Sequence, residues 1–230
     1  MATASYSEPP ATASKPTDAE DEQGVTVAEL RAALQLRFGD LIARMEKRGL
    51  LCLDQAEGDT KEPGDAVCLV ANDIEPGEEV AAMLYECGGK ETLQDILGER
   101  QFAELAAAAQ DLADANDIVA VRAETRIPDD AKPADLDAWL LACTIQAAAE
   151  QANRPMANSD EARKLLVSAL GAVRAWWAKT PTSKTLARYG QDIQLSPQDV
   201  GALVVQAMDE SGEDGPMAPR DDMGRFAPAG

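Results

Sequence analysis

The clearest helical pattern in the chain lies at residues 159–179, which read SDEARKLLVSALGAVRAWWAK. Ser159 is a good N-cap, because a serine hydroxyl accepts a hydrogen bond from a free backbone N–H of the first helical turn. Large apolar residues then recur with a period near 3.6: Leu166, Leu170, Val173 and Trp177. Leucines and alanines beside them widen this stripe, so we predict a core-facing helix with Leu170 at the centre of its buried face.

The end of this helix carries two adjacent tryptophans, Trp176 and Trp177. Neighbouring positions on a helix point in different directions. We therefore expect one indole to pack in the core and the other to lie at the edge of the helical layer or at a partner surface. Pro181 is expected to stop the helix.

Composition favours a mainly α-helical protein with little affinity for polyanions. The chain has 230 residues, enough for one domain or two small ones. Aromatic residues make up only 4%, so alanine and leucine must fill the interior, which suits closely packed helices. The net charge of −20 disfavours binding to nucleic acid or to anionic membranes, because phosphates attract positive surfaces. It permits a basic partner or an inhibitor that mimics the charge of DNA.

Several kinds of chemistry are excluded by residue type. The chain has no histidine, so catalytic triads and histidine metal sites are ruled out. The four cysteines form no C-x-x-C motif: Cys52, Cys68, Cys87 and Cys143. We expect them to be reduced core residues of a non-enzymatic protein, without a catalytic, cofactor or metal site and with no identified small-molecule substrate. No apolar run approaches 18 residues and no signal peptide is evident, so we expect a cytoplasmic protein, or a virion component if the chain is of phage origin.

The chain divides into four parts by composition. Residues 1–23 are predicted to be a disordered acidic tail, since they contain too few apolar residues to form a core. Residues 24–89 are predicted to be a small α+β part, and residues 90–209 an antiparallel helical bundle. Residues 210–230 are predicted to be a flexible C-terminal tail.

The α+β part has recognisable helix ends and two strand-like runs. Thr26 and Glu29 have the spacing of a capping box. Gly39 is expected to divide the following helical segment, and Gly49 to end it in a left-handed conformation. The β-prone runs at residues 51–53 and 66–70 flank a polar loop, so we predict a small hairpin.

The bundle is predicted from apolar periodicity and from prolines. Residues 92–115 form one helical pattern, and the β-branched run at residues 118–121 suggests an extended crossing segment. Further helices are expected to open at Asp135 or Asp137, at Ser159, near Ser183 and at Pro197.

Residues 26–79 resemble a winged-helix domain of the MarR-like kind. The resemblance is carried by TVAEL at residues 26–30, DLIARMEKRGLL at residues 40–51, the predicted hairpin, and IEPGEE at residues 74–79. It implies that Arg44, Lys47 and Arg48 lie on a recognition helix and contact DNA. The alternative is an ordinary helical pair with a solvated basic face.

Residues 220–226, RDDMGRF, resemble the R-D-x-x-G-R-F tail found at the ends of bacteriophage and other mobile-element proteins. The resemblance implies a docking peptide in which Arg220, Arg225 and Phe226 contact a partner. Otherwise this segment is a solvated linker.

These observations favour a protein–protein interaction protein, with a protein partner or a homo-oligomer, and a phage or mobile-element structural or assembly role. The first alternative is a winged-helix regulator of transcription. The second is an acidic DNA-mimic inhibitor.

Overall fold

A computed structural model describes residues 24–56, 67–154 and 158–213. The fold is mainly α, as predicted, with ten helices and one small sheet among the described residues. The helices are α1 (Val27–Phe38), α2 (Asp40–Lys47), α3 (Glu79–Gly88), α4 (Leu93–Leu97), α5 (Glu99–Asp114), α6 (Ile118–Glu124), α7 (Leu136–Glu150), α8 (Asp160–Trp177), α9 (Pro181–Arg188) and α10 (Pro197–Glu213). The strands are β1 (Leu51–Asp54) and β2 (Val67–Val70).

The predicted ends of the first two helices are confirmed. The Thr26 hydroxyl accepts a hydrogen bond from the Glu29 N–H at 3.3 Å, and the Glu29 carboxylate accepts one from the Thr26 N–H at 2.9 Å. Gly39 separates α1 from α2 with φ of 58°, and Gly49 follows α2 with φ of 65°. Both glycines adopt a positive φ that other residues rarely do, which is why the helical pattern breaks there.

The prediction of a β-hairpin is wrong. β1 and β2 pair in parallel, with Leu51 opposite Val67 and Asp54 opposite Val70. A hairpin reverses the chain in a few residues, whereas a parallel pair needs a crossover of a dozen or so. Residues 55–66 supply a connection of that length. These two strands therefore do not form the antiparallel wing that the winged-helix resemblance implies.

The extended segment predicted at residues 118–121 is helical instead. The carboxylate of Asp117 accepts a hydrogen bond from the Val119 N–H at 2.8 Å and so caps α6. Val119, Ala120 and Ala123 are fully buried, which shows that packing on one helical face outweighs the β-propensity of this run. The pattern at residues 92–115 is also two helices, because Gly98, with φ of 81°, separates α4 from α5.

Helix α8 forms as predicted, but its buried face is centred differently. The Ser159 hydroxyl accepts a hydrogen bond from the Ala162 N–H at 3.1 Å. Ala169 and Val173 are fully buried, whereas Leu170 is only partly buried against the core. Helix α8 packs on α4, α5 and α7. The face that makes these contacts is centred on the small residue Ala169 rather than on Leu170.

Both tryptophans are buried, so the expectation that one lies at an edge is wrong. Trp176 is 8% exposed and Trp177 is 3% exposed. The Trp176 ring packs directly on Gly88 at the end of α3: a β-carbon there would lie 2.2 Å from the ring atom Cη2. The Trp176 indole N–H donates a hydrogen bond to Glu91 at 2.6 Å. Because Gly88 has no side chain, the Trp176 indole can be buried against the end of α3.

One continuous hydrophobic core extends from Val25 to Met208. It includes residues on both sides of the boundary predicted at residue 89. The last helix, α10, packs on α7 of the bundle and on α3 of the α+β part. Both predicted parts therefore contribute to the same core.

An ion pair between the partly exposed Arg37 and the buried Asp199 connects the first helix to the last. Arg37 donates from Nε to Asp199 at 2.8 Å and from Nη2 to the Gln194 carbonyl at 2.9 Å. The Ser196 N–H donates to the Asp199 carboxylate at 2.6 Å. Burial acts to raise the pKa of Asp199, but the hydrogen bonds from Arg37 and Ser196 outweigh it and lower that pKa. The charged form of this carboxylate is therefore stabilised although only 4% of it is exposed.

None of the helices in the described ranges combines the length and the apolar composition needed to cross a membrane.

Candidate functional site

The three cations predicted to contact DNA are all exposed: Arg44 and Lys47 lie on α2, and Arg48 directly follows it. Arg44, Lys47 and Arg48 form no ion pair with the described residues. Arg48 does not extend freely into solvent, because its guanidinium carbon lies 3.8 Å from the centre of the Tyr189 ring. This cation–π contact places α2 beside the end of α9.

Helix α9, which meets α2 through Leu186 and Tyr189, carries two further cations that sequence reasoning missed. Lys184 and Arg188 are exposed and form no ion pair with the described residues. We call the five cations the basic patch: Arg44, Lys47, Arg48, Lys184 and Arg188. The sequence did contain one signal of a basic segment, since residues 179–191 contain three cations and no carboxylate. The packing of this segment against α2 could not be inferred from the sequence.

Most other cations of the described residues are neutralised by a nearby carboxylate. The ion pairs are Arg31–Glu46, Arg37–Asp199, Lys90–Glu86, Arg100–Glu104, Arg126–Glu150, Arg163–Asp160 and Lys164–Glu161. The basic patch is thus a local concentration of unpaired positive charge on a protein with a net charge of −20.

A groove with more carboxylates than cations lies at the other end of α9. It has a volume of about 440 Å³, and α4, the start of α5 and the C-terminal half of α8 line it. Its floor contains Ile96 and Trp176. Glu91, Asp95 and the cation Lys179 also line this groove, and Glu99 lines a depression that adjoins it. These three carboxylates are exposed and are spaced four residues apart. We call this concavity the acidic groove.

Helix α9 connects the acidic groove to the basic patch. Pro181, its first residue, lines both the acidic groove and a second concavity of about 220 Å³. Leu50 and Leu186 line that second concavity and also a small cavity of about 20 Å³ that Arg44, Arg48 and Tyr189 enclose. The surface along α9 is therefore continuous, with a groove where carboxylates outnumber the one cation Lys179 at one end and cations at the other.

The cysteines occupy two different environments. Cys87 and Cys143 are buried in the core, as predicted, and burial raises their pKa values to about 12 and about 11. Cys52 and Cys68 are instead half-buried and face each other across the sheet. Burial, followed by hydrogen bonding to Asp54 and Cys68, raises the pKa of Cys52 to about 12.

The predicted docking residues of the C-terminal tail, Arg220, Arg225 and Phe226, lie outside the described residues, as do residues 1–23. No family model, curated protein or solved structure matches this chain.

Proposed function

We propose that the protein is a non-enzymatic assembly protein that associates with a second copy of itself through the surface along α9. The observation that carries this proposal is the continuous surface along α9, which runs from the acidic groove, through concavities that share Pro181, Leu50 and Leu186, to the cations Arg44 and Arg48 of the basic patch. A surface with both charges is complementary to itself when a second copy is turned by a two-fold rotation.

A two-fold symmetric dimer uses this charge complementarity twice. In such an interface, residue i of one copy contacts residue j of the other, and j contacts i. The acidic groove of each copy then faces the basic patch of its partner, with α9 near the symmetry axis. Helix α9 has eight residues and is about 12 Å long. A standard interface buries about 800 Å² on each partner, which is wide enough to include both ends of α9.

The overall charge of the protein favours a protein partner over DNA at the basic patch. Two copies with a charge of −20 repel each other, but at about 0.15 M salt the Debye length is about 8 Å, so distant charges are largely screened. Charges in contact across an interface are screened much less. Duplex DNA carries one negative charge per about 1.7 Å of its axis, so its repulsion from the acidic body is greater.

The phage or mobile-element setting of this proposal is supported by the resemblance of residues 220–226. In this proposal Arg220, Arg225 and Phe226 form a docking peptide for another protein of the assembly. Removal of residues 216–230 then leaves the dimer intact and weakens only that second contact.

Charge reversal tests the dimer directly. We expect the Lys184→Glu/Arg188→Glu variant to dimerise at least about tenfold more weakly than the wild type at about 0.15 M salt, because its α9 then faces the carboxylates of the partner. The Asp95→Lys/Glu99→Lys variant should be weakened in the same way. Sedimentation equilibrium across a range of protein concentrations gives each dissociation constant.

Mixing the two variants provides the sharper experiment. Each is expected to be mainly monomeric alone, but a heterodimer pairs the reversed α9 of one chain with the reversed groove of the other, and pairs native surfaces in the second half of the interface. The mixture should therefore recover wild-type affinity. Arg122→Glu/Lys132→Glu is the matched control, because both cations are exposed, unpaired among the described residues and outside this surface.

Three outcomes would overturn the proposal. One is a wild-type protein that stays monomeric at every concentration tested. Another is a control variant that weakens the dimer as much as the α9 variant does. The third is a monomeric wild type that binds duplex DNA in a salt-dependent way and loses that binding on reversal of Lys184 and Arg188, which would assign the basic patch to nucleic acid.

A further inference from the structure

The small parallel sheet brings together three side chains that chain order keeps apart. Cys52 and Cys68 occupy paired positions on β1 and β2, although they are sixteen residues apart in the sequence. Asp54 lies two residues after Cys52, so it projects from the same face of the sheet. The two sulfur atoms and a carboxylate oxygen all lie within 4.8 Å of one another, and the Cys52 Sγ donates to the Asp54 Oδ2 at 3.2 Å.

We propose that Cys52, Asp54 and Cys68 bind a thiophilic divalent cation, with Zn²⁺ as the best match. In a tetrahedral zinc site, Zn–S bonds of about 2.3 Å and Zn–O bonds of about 2.0 Å place neighbouring ligand atoms about 3.5–3.8 Å apart. The spacing found here needs shifts of about 1 Å or less to reach that geometry. Two thiolates and one carboxylate suit zinc, whereas Mg²⁺ and Ca²⁺ prefer oxygen ligands throughout.

The parallel register is what creates this site. In the predicted hairpin, the second strand would run in the opposite direction and its pairing would depend on the turn. In the observed register, Cys68 lies directly opposite Cys52, and Val70 lies opposite Asp54. All three ligands are half-buried, so an ion can reach them from solvent while they remain held by the sheet.

The metal would reinforce a sheet that is otherwise held by the packing of Leu51 and Leu69 in the core. Two strands of four residues are marginal by themselves, and α1, α2 and α3 pack against them. A bond from each strand to one ion closes the loop between Cys52 and Cys68, as a disulfide would. Three protein ligands leave one position of a tetrahedral site for water or a further ligand. This site shares no residue with the acidic groove or the basic patch, so it does not depend on the proposed dimer.

Cobalt is the probe for the experiment, because Co²⁺ replaces Zn²⁺ and its thiolate complexes absorb light. The full-length protein, kept reduced and free of oxygen, is titrated with Co²⁺. We expect a thiolate-to-cobalt charge-transfer band that saturates at one ion per chain and disappears on addition of one equivalent of Zn²⁺. Zinc should also raise the melting temperature, because it binds the folded sheet preferentially.

Substitutions locate the ligands. Cys52→Ser and Cys68→Ser should each abolish the band, and Asp54→Asn should weaken cobalt binding at least about tenfold. Cys87→Ala is the matched control, since it removes a thiol from the core, and should leave the band unchanged. The proposal is overturned if the reduced wild type shows no band, or if the band survives the loss of Cys52 and Cys68. A chain that binds no cobalt but readily forms a Cys52–Cys68 disulfide would also overturn it.

Discussion

At the scale of single residues, the contact between Gly88 and Trp176 offers the most sensitive test of the packing. A β-carbon at position 88 would meet the indole ring at 2.2 Å, far inside van der Waals distance. We expect Gly88→Ala to destabilise the protein by about 1–3 kcal/mol, the usual cost of overpacking a core. The free energy of unfolding from urea melts measures the effect.

Gly171 is the matched control for this substitution. It lies in the middle of α8, and no atom outside its own helix lies within 4 Å of an added β-carbon. Gly171→Ala should stabilise the protein by about 0.5–1 kcal/mol, because alanine loses less conformational entropy in a helix than glycine does. If both substitutions shift stability in the same direction, the packing of Trp176 on Gly88 is not as described.

Local signals were predictable at this scale, and contacts between distant residues were not. The Ser159 cap and the breaks at Gly39 and Gly49 depend on a few neighbouring residues, so the sequence alone indicated them. The burial of Trp176 depends on Gly88, which lies 88 residues earlier. No rule of helical periodicity connects those two positions.

At the scale of elements, the ion pair between Arg37 and Asp199 joins α1 to α10. Removing the cation would leave the Asp199 carboxylate buried with only the donors of Ser196. We expect Arg37→Met to cost about 2 kcal/mol, since hydrogen bonds to a buried charge are worth more than neutral ones. Arg100→Met is the control, because its ion pair with Glu104 is fully exposed, and its urea midpoint should match that of the wild type.

The pairing of α3 with α10 predicts a dependence on pH. Asp209, near the end of α10, is exposed at its surface but partly shielded by neighbouring atoms. Partial burial is the largest cause that raises the pKa of Asp209, to about 6, and the negative charges of Glu210 and Glu75 add to it. Burial and the nearby carboxylates, Glu75 first, also raise the pKa of Glu78 at the start of α3. Raised pKa values mean that the folded state holds these protons more tightly than the unfolded chain does.

The sign of this effect follows from proton linkage. Stability from Asp209 is fully present below its unfolded pKa of about 3.9 and is lost as the pH rises through about 6. The Asp209→Asn variant should therefore melt at a higher temperature than the wild type at pH 7, with a difference that shrinks towards pH 4. Calorimetric scans across this range measure it, with Asp129→Asn, in the loop between α6 and α7, as the control. A difference that stays constant with pH would contradict the raised pKa.

Among the elements, the helices were easier to predict than the sheet. Several helices have a side-chain cap, as α1 does, or a clear apolar face, as α5 does, and α8 and α9 have both; these signals lie within the element or directly beside it. The errors at α6 and at β1 and β2 have another origin. Burial of Val119 and Ala120 decides α6, and the residues of β1 and β2 do not themselves indicate whether the two strands pair in parallel or antiparallel.

At the scale of the whole molecule, the distribution of charge over the surface says more about the candidate interaction surfaces than the net charge does. The net charge of −20 is that of the whole chain, and it hides the basic patch, which forms only when α2 and α9 meet. The acidic groove likewise draws on α3, α4, α5 and α8. The fold class was therefore accessible from sequence, whereas both candidate surfaces and the cysteine cluster depend on tertiary contacts.

The bond between Arg37 and Asp199 also has a consequence for biosynthesis. The two residues are separated by 162 positions, and a ribosome adds about 5–20 residues per second. About 8–30 s therefore pass between the synthesis of Arg37 and the synthesis of Asp199. During that interval the faces of α3 and α7 that α10 covers in the folded protein remain exposed to solvent. The nascent chain should accordingly bind chaperones that recognise apolar surface until its last helix has left the ribosome.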